Sequence, residues 1–256
     1  MLCKIDGNQK GTIFCIHGNS SSSKVFNKFL QSPKISNTKV SVDLVGHGEN
    51  QKQDFKLKDM TFKSQKKYIL SQVSKIKGDI LLIGHSLGGH LAIEVAPEIK
   101  NLKGLIVMGT PPVKHPINFE EAFIPIETYN SYFVETQSDR EIAKMAESIV
   151  KKKSHQELIY SDFKKTNPLV RKALAQDILS NKLLDEYLLF KLLNVPKYII
   201  SGRQDFSVNR EYLQLVKENC GHDCKIIDVE NCGHFPFLDK PNKFIKIIND
   251  IVKEVL

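Results

Sequence analysis

Three residues whose side chains can cooperate in nucleophilic catalysis follow short apolar runs in this sequence of 256 residues. They are Ser86, Asp205 and His234. A serine hydroxyl becomes an effective nucleophile when a histidine removes its proton, and an acid can fix the tautomer of that histidine and stabilise its cation. We therefore take Ser86 as the candidate nucleophile, His234 as the general base and Asp205 as the residue that orients the base.

Ser86 lies in the segment G-H-S-L-G, which has the pattern G-x-S-x-G. The apolar run at residues 79–83 is typical of a strand, and residues 90–96 have the apolar spacing of a helix. A sharp turn between the two needs Gly84 and Gly88, because side chains there would clash as strand and helix approach each other. The pattern therefore predicts a turn that exposes the Ser86 hydroxyl at the end of a strand.

Two backbone amides are candidates for binding an oxyanion. The Leu87 amide follows the nucleophile at the start of a predicted helix, and the Asn19 amide follows the predicted strand at residues 12–16. The loop that contains Asn19 nearly matches the phosphate-binding pattern G-x-x-x-x-G-K-[ST]. Ser23 and Val25 stand where that pattern requires a glycine and a hydroxyl residue, so we reject nucleotide binding.

Strands that alternate with helices predict a mostly parallel sheet covered by helices on both faces. Asp6-Gly7 is typical of a hairpin turn near the N-terminus. Loops at the carboxyl ends of parallel strands meet at one edge of a sheet, so Ser86, Asp205 and His234 can converge despite their separation in sequence. The predicted strands are residues 12–16, 39–45, 80–83, 105–108, 197–201 and 225–229, and the predicted helices between them are about 25–30, 62–76, 90–100, 210–219 and 244–255.

The alternation stops at residues 113–192, which contain no convincing strand. Asn167-Pro168 is a helix start signal, because asparagine caps the first turn and proline suits the first helical position. We predict a core formed by residues 1–112 and 193–256, with 113–192 as a helical cap inserted into it. The helices predicted in the insertion are 139–152, 156–163, 169–179 and 183–193. Its apolar residues could pack as ordinary core or line an acyl pocket; they include Phe119, Phe123, Ile124, Tyr129, Tyr132 and Phe133.

Other acids and histidines have simpler interpretations. Asp228 lies within a predicted strand and Asp239 follows the candidate base, so both are weaker candidates than Asp205 for the orienting acid. His17 and His47 lie in glycine-flanked loops, where we expect bonds to the backbone. His85 precedes the nucleophile, and we expect it to pack rather than to transfer protons. His90, His115 and His155 have no partner that the sequence identifies.

A group of cysteines near the C-terminus could suggest a zinc site. The residues are Cys220, His222, Cys224 and Cys232, but their spacing is weak for zinc and there is no second CxxC pair. We expect no metal and no other cofactor, and the role of these residues stays open.

The formal net charge of +8 could indicate a nucleic-acid partner. The lysines are scattered, however, and the cluster at 151–153 has no aromatic residues interleaved with it, so a solvated surface is the better interpretation and we expect no nucleic-acid partner. No apolar run reaches the length of a membrane span, and the N-terminus has no signal-peptide pattern. Five cysteines, an odd number, favour reduced thiols. We therefore expect a cytoplasmic protein, and the oligomeric state stays open.

Taken together, these motifs resemble those of serine hydrolases with the α/β-hydrolase fold. The resemblance covers nearly the whole chain and implies a helical lid, which residues 113–192 would supply. Besides the turn at Ser86, it rests on residues 17–19 (HGN), 43–48 (DLVGHG), 202–205 (GRQD) and 233–236 (GHFP).

Three stretches are similar to the branch of this fold that contains N-acyl homoserine lactone hydrolases, which are metal-free. They are residues 17–22 (HGNSSS), 86–90 (SLGGH) and 109–113 (GTPPV). The resemblance implies hydrolysis of a small-molecule ester or lactone with an acyl chain through an acyl-enzyme. A thioesterase or acyltransferase with the same triad, and a non-catalytic ligand receptor on this fold, are the alternatives. No substrate-binding residue in the insertion can be assigned.

Overall fold

A seven-stranded sheet forms the centre of the computed structural model, which describes residues 2–52 and 54–256. The strand order is β1-β3-β2-β4-β5-β6-β7, and only β1 runs antiparallel to its neighbour. The predicted α/β architecture is therefore confirmed. The strands are β1 (Leu2–Ile5), β2 (Gln9–Ile16), β3 (Asn37–Val42), β4 (Ile80–His85), β5 (Leu102–Met108), β6 (Lys197–Gly202) and β7 (Cys224–Val229).

The predicted hairpin at Asp6-Gly7 is wrong. β1 pairs with β3, with Leu2 opposite Val42, and not with the following strand β2. The reason is that β2 already has parallel neighbours on both sides, β3 and β4, so β3 offers the only free edge nearby.

Where a predicted helix corresponds to an observed one, the observed helix begins and ends within a few residues of the predicted bounds. Asn167 caps one of them as predicted, because its Oδ1 accepts a hydrogen bond from the Leu169 amide at 3.0 Å and Pro168 takes the first helical position. The helices are α1 (Asn27–Leu30), α2 (Phe62–Val73), α3 (Leu87–Val95), α4 (Phe119–Ala122), α5 (Asp139–Ile149), α6 (Lys153–Lys165), α7 (Pro168–Leu179), α8 (Glu186–Leu192), α9 (Arg210–Cys220), α10 (Pro236–Asp239) and α11 (Pro241–Val255).

Two clusters of buried apolar side chains lie on opposite faces of the sheet. Alternate residues of a strand point to opposite faces, so in β2 Phe14 and Ile16 belong to one cluster while Ile13 and Cys15 belong to the other. Such central strands are buried on both faces, which explains why they read as continuous apolar runs in the sequence.

The segment between β5 and β6 contributes to both clusters. α5 and α6 add Met145 and Phe163 to the cluster that contains Ile13, and α7 and α8 add Leu174 and Phe190 to the other. α8 also contacts α3 and α9. The division of the chain into a core and a cap at residues 113–192 stays a prediction.

No helix in the described part of the chain combines the length and apolar character that crossing a membrane requires.

Candidate active site

Ser86 occupies a strained turn between β4 and α3. Its backbone has φ 52° and ψ −124°, a region that non-glycine residues rarely adopt. Added Cβ atoms show why glycines flank it: one at Gly84 would lie 2.5 Å from the Gly89 Cα, and one at Gly88 would collide with the Ile16 carbonyl. The close approach of β2, β4 and α3 therefore fixes the position of Ser86 at the carboxyl end of the sheet.

His234 and the buried Asp205 form a pair on the loops that follow β7 and β6. His234 Nδ1 and Asp205 Oδ2 are 2.7 Å apart. The other carboxylate oxygen accepts hydrogen bonds from the Ser207 hydroxyl at 2.5 Å and the Ser207 amide at 3.2 Å. Burial by itself raises the pKa of Asp205, but the charge of His234 and the hydrogen bonds from His234 and Ser207 outweigh it, so this pKa lies below its ordinary value. Asp205 is thus held as a carboxylate that orients the imidazole.

Ser86 and His234 border the same cavity. The Ser86 amide donates to the Met108 carbonyl at 2.8 Å, and an added Cβ at the next residue, Gly109, would lie 2.7 Å from His234 Nδ1. Within residues 2–52 and 54–256, no hydrogen bond joins the Ser86 hydroxyl to His234 or to another side chain. Resting enzymes often show such loose geometry before substrate binds.

Asn19 and Leu87, the two candidate oxyanion donors, also border this cavity. Neither backbone amide has an acceptor among the described residues. The Asn19 side chain is fixed, because its Nδ2 donates to the Tyr132 carbonyl at 2.7 Å and its Oδ1 accepts from the Ser20 hydroxyl at 3.2 Å. The structure therefore brings all five predicted site residues to one edge of the sheet.

His17 and His47 bond to the backbone, as expected. His17 Nδ1 donates to the Gly18 carbonyl at 2.8 Å and Nε2 accepts from the Leu44 amide at 3.1 Å. His47 Nδ1 donates to the Val45 carbonyl and Nε2 accepts from the Ser20 amide, both at 3.1 Å. Burial lowers the pKa of His17 to about 4 and that of His47 well below its ordinary value. Both rings are therefore neutral, and their hydrogen bonds to backbone groups hold the loop that contains Asn19 in place.

His85 packs beneath the candidate base. Its Nε2 donates to the His234 carbonyl at 2.9 Å, and its ring contacts those of Phe235 and Phe237. Burial holds the pKa of His85 well below its ordinary value, so the ring is neutral. It supports the backbone of His234.

The weaker acid candidates have other partners. Asp228 forms ion pairs with Arg203 at 3.2 Å and Arg210 at 2.7 Å, and Asp239 accepts a hydrogen bond from the Gly233 amide at 2.8 Å.

The cysteine group near the C-terminus does not assemble into a ligand set. Cys220, Cys224 and Cys232 are free thiols. The described residues contain no group of three or more histidine, cysteine or acidic side chains that could hold a metal ion.

The cavity beside Ser86 has a volume of about 530 Å³ and is lined mostly by apolar side chains. Sequence reasoning left open whether the aromatic and aliphatic residues of the insertion pack as core or line a pocket. All six line this cavity: Phe119, Phe123, Ile124, Tyr129, Tyr132 and Phe133. Ile149 of α5 and Leu174 and Ile178 of α7 line it as well, and the sequence analysis did not single them out.

Two polar residues that the sequence did not single out connect the segment between β5 and β6 to the loop of residues 17–22. Asp162 Oδ2 accepts from the Ser22 hydroxyl at 2.7 Å, and burial raises the pKa of this carboxyl to about 6. Arg171 donates to the Ser20 hydroxyl at 3.3 Å and to the Val134 carbonyl at 3.0 Å. No motif marks these residues, because their partners lie far away in sequence.

The family model described as "Alpha/beta hydrolase family" matches residues 13–247, which is most of the chain. The chain belongs to the alpha/beta hydrolase family. It is also 23% identical over 189 residues to "Putative esterase/lipase 1" of Mycoplasma genitalium. That match covers 67% of this chain and 66%, just under two thirds, of the length of that relative.

Solved structures of other alpha/beta hydrolases superpose on almost the whole chain. The N-acyl homoserine lactonase AidH complexed with N-butanoyl homoserine is 22% identical, with a TM-score of 0.86, over 99% of this chain and 92% of that one. The esterase EaEST from Exiguobacterium antarcticum is 17% identical, with a TM-score of 0.79, over 98% of this chain and 94% of that one. At these identities the similarity shows the fold.

Proposed function

We propose that this protein is a serine hydrolase that cleaves carboxylic esters or lactones through an acyl-enzyme. The proposal rests above all on the placement of His234, which is bonded to the buried Asp205 carboxylate at 2.7 Å and borders the same cavity as Ser86. A strained serine, an oriented histidine and two amides without acceptors are the groups that acyl transfer needs.

The chemistry proceeds in two halves. In the first, the Ser86 oxygen attacks the substrate carbonyl carbon while His234 Nε2 takes the hydroxyl proton. The Asn19 and Leu87 amides stabilise the oxyanion of the tetrahedral intermediate. As the bond to the leaving oxygen breaks, His234 returns the proton to that oxygen and Asp205 stabilises the imidazolium formed meanwhile. In the second half, His234 takes a proton from water, the hydroxide attacks the acyl carbon, and Ser86 leaves with the proton.

An acyl homoserine lactone fits this scheme as a substrate. The similar lactonase AidH binds N-butanoyl homoserine, and the motifs at residues 17–22, 86–90 and 109–113 resemble that branch. The apolar cavity can bury an acyl chain, and each buried methylene contributes about 0.8 kcal/mol. We further propose that residues 113–192 act as the cap that encloses the acyl chain.

Thioesters remain the alternative substrates within this mechanism, because the same nucleophile and base attack their carbonyl carbon.

A fluorophosphonate probe and a lactone assay together test the proposal. We expect the probe to label the wild-type protein at Ser86, and mass spectrometry to show that an N-acyl homoserine lactone gains one water with its amide intact. The Ser86→Ala variant should not be labelled and should lose hydrolysis by several orders of magnitude.

The matched control is Ser21→Ala, since Ser21 borders the same cavity and its buried hydroxyl has no hydrogen-bond partner among the described residues. This variant should be labelled and should hydrolyse the lactone. Labelling that persists in Ser86→Ala and disappears in Ser21→Ala would refute the assignment of the nucleophile. If the protein cleaves esters or thioesters but opens no lactone ring, the lactone is not its substrate, and only the general proposal of a serine hydrolase stands.

A further inference from the structure

A second histidine–carboxylate pair lies beside the cavity, which His90 lines from the first turn of α3. His90 Nδ1 lies 2.7 Å from Glu186 Oε2 at the start of α8. His90 is 9% exposed and Glu186 is completely buried. The pair is separate from Asp205 and His234, and the proposed chemistry assigns it no step.

Among the described residues, His90 is the partner that can compensate the negative charge of Glu186. The Val113 amide donates to Glu186 Oε2 at 3.2 Å, while Oε1 is buried without a partner in the described part of the chain. The nearby carboxylate of Glu94 has its own cation, Lys66, at 2.5 Å. Asp205 accepts two hydrogen bonds besides its contact with a histidine, whereas Glu186 accepts one among the described residues. A buried carboxylate with so few donors costs several kcal/mol, so a pair of His90 and Glu186 without net charge is favoured.

A pair with no net charge places a proton on His90 Nε2. If the proton between the two groups resides on Nδ1, the pair is an imidazolium and a carboxylate, and Nε2 is protonated. If that proton resides on Glu186, the carboxylic acid donates to Nδ1, and the neutral imidazole again carries its hydrogen on Nε2. In both cases Nε2 is a hydrogen-bond donor.

The Nε2 atom of His90 has no protein acceptor, and His90 lines the cavity. Its ring centroid lies 5.9 Å from that of Phe123, and Nε2 has no hydrogen-bond partner within residues 2–52 and 54–256. Unlike the Nδ1 atom of His85, this nitrogen is not among the fully enclosed atoms without a partner. Ser86, the residue before α3, lines the same cavity.

We propose that His90, held by Glu186, determines specificity by donating a hydrogen bond to an oxygen atom on the acyl part of the substrate. The inference rests on the proposed function, since it assumes that the acyl part lies in this cavity. Because Ser86 and His90 line the same cavity, the acceptor is a keto or hydroxyl oxygen on the chain that extends into this cavity from the carbonyl that Ser86 attacks. Acyl groups with such an oxygen bind more tightly than plain ones of equal length.

Binding to the Ser86→Ala protein tests this without depending on catalysis. The ligands are N-butyl hexanamide and its analogues with a keto group at successive carbons of the acyl chain, measured by calorimetry. We expect at least one keto analogue to bind about 3- to 10-fold more tightly than the plain amide, the range that one net hydrogen bond supplies. Adding His90→Leu should reduce this ratio to about one.

A second variant guards against misfolding, because His90→Leu leaves the Glu186 carboxylate unpaired. The double change His90→Leu/Glu186→Gln removes that charge, keeps an acceptor for the Val113 amide, and should also abolish the preference. The control is His155→Leu, which changes a histidine of α6 outside the cavity lining and should keep the preference.

The proposal is overturned if no keto analogue is preferred, or if the preference survives in both His90 variants. Hydrolysis of plain esters by the wild-type protein is measured separately. If that hydrolysis is absent, the proposed function fails while the binding ratio still decides the role of His90.

Discussion

His17, His47 and His85 share one property, which is that each is buried as a neutral ring near the candidate active site. Their hydrogen bonds to backbone groups fix their tautomers and hold the loops that carry Asn19 and His234. A ring that must stay neutral in the folded protein can be protonated freely in the unfolded chain. Stability therefore depends on pH through these three residues.

We predict that the free energy of unfolding decreases as the pH falls from about 6.5 to about 4. The unfolded chain takes up protons on its histidines below about pH 6.5, whereas folded His17 stays neutral down to about pH 4. Lowered histidine pKa values thus contribute stability that is present above pH 6.5 and lost below it. For His17 alone the loss is about 3 kcal/mol. Thermal unfolding at a series of pH values measures it.

The variant His47→Gln removes one of these three buried imidazoles and so tests its contribution to the pH dependence of stability. Its Tm should depend less steeply on pH than that of the wild type, even though its Tm at pH 7.5 is lower. His222→Gln, which changes an exposed histidine, is the control and should keep the wild-type slope. A wild-type Tm that does not change between about pH 7.5 and 5 would contradict the role assigned to the buried histidines.

Candidate site residues could be predicted from the sequence where they directly follow a predicted strand. Ser86, Asp205 and His234 each follow a predicted strand, so topology alone brings them to one edge of the sheet. The pair of His90 and Glu186 could not be predicted in this way, because its partners are 96 residues apart and meet through the packing of α8 on α3.

The turn around Ser86 is the element on which the site depends most directly. β4 and α3 approach each other so closely that the positions of Gly84 and Gly88 leave no room for a methyl group. The sequence predicted this turn and most helices and strands, since a buried parallel strand and an amphipathic helix each leave a pattern. It did not predict where β1 pairs, because an edge strand of four residues has no pattern that selects its neighbour.

We predict that Gly88→Ala lowers the free energy of unfolding by about 2–4 kcal/mol, because the new methyl group would collide with the Ile16 and His17 carbonyls and those backbone atoms cannot yield. Hydrolytic activity should fall with it, since the displacement moves the Leu87 amide. Urea unfolding and an ester assay measure the two effects.

Gly78→Ala is the control, because an added Cβ there meets no atom within 4 Å and only its positive φ of 85° resists substitution. We expect a loss of about 1–2 kcal/mol and unchanged activity. Equal losses for the two variants would argue against the close packing of β2, β4 and α3 as the cause.

At the scale of the whole molecule, polar contacts as well as packing join the segment between β5 and β6 to the rest of the chain. Arg171 is almost completely buried, and its guanidinium stacks on Phe163 with a separation of 4.3 Å. It donates to the Ser20 hydroxyl after β2 and to the Val134 and Glu135 carbonyls between β5 and β6. Burial lowers its pKa to about 10, so it stays charged at neutral pH and its hydrogen bonds are charge-assisted.

We predict that Arg171→Met destabilises the protein by about 2–4 kcal/mol, because the buried carbonyls lose their donors while the apolar volume is nearly kept. The kcat for esters should fall, since Ser20 adjoins Asn19, whose amide is proposed to stabilise the oxyanion of the transition state. Urea unfolding and steady-state kinetics measure both. Arg140→Met in α5, at an exposed position, should leave stability and kcat within error of the wild type. An Arg171→Met protein with wild-type stability would refute the importance of this contact.

The segment between β5 and β6 takes part in both apolar clusters, and this limits how molecules exchange between the cavity and solvent. Displacing the whole segment would expose Met145 and Phe163 from one cluster and Leu174 from the other, and exposing each large side chain costs about 1.5–3 kcal/mol. Residues 117–134 would expose less buried apolar surface on opening, since they form only short helical turns and Ile124 is already exposed. Local opening of residues 117–134 therefore costs less free energy than displacing the whole segment. The rate of this local opening sets an upper limit on turnover.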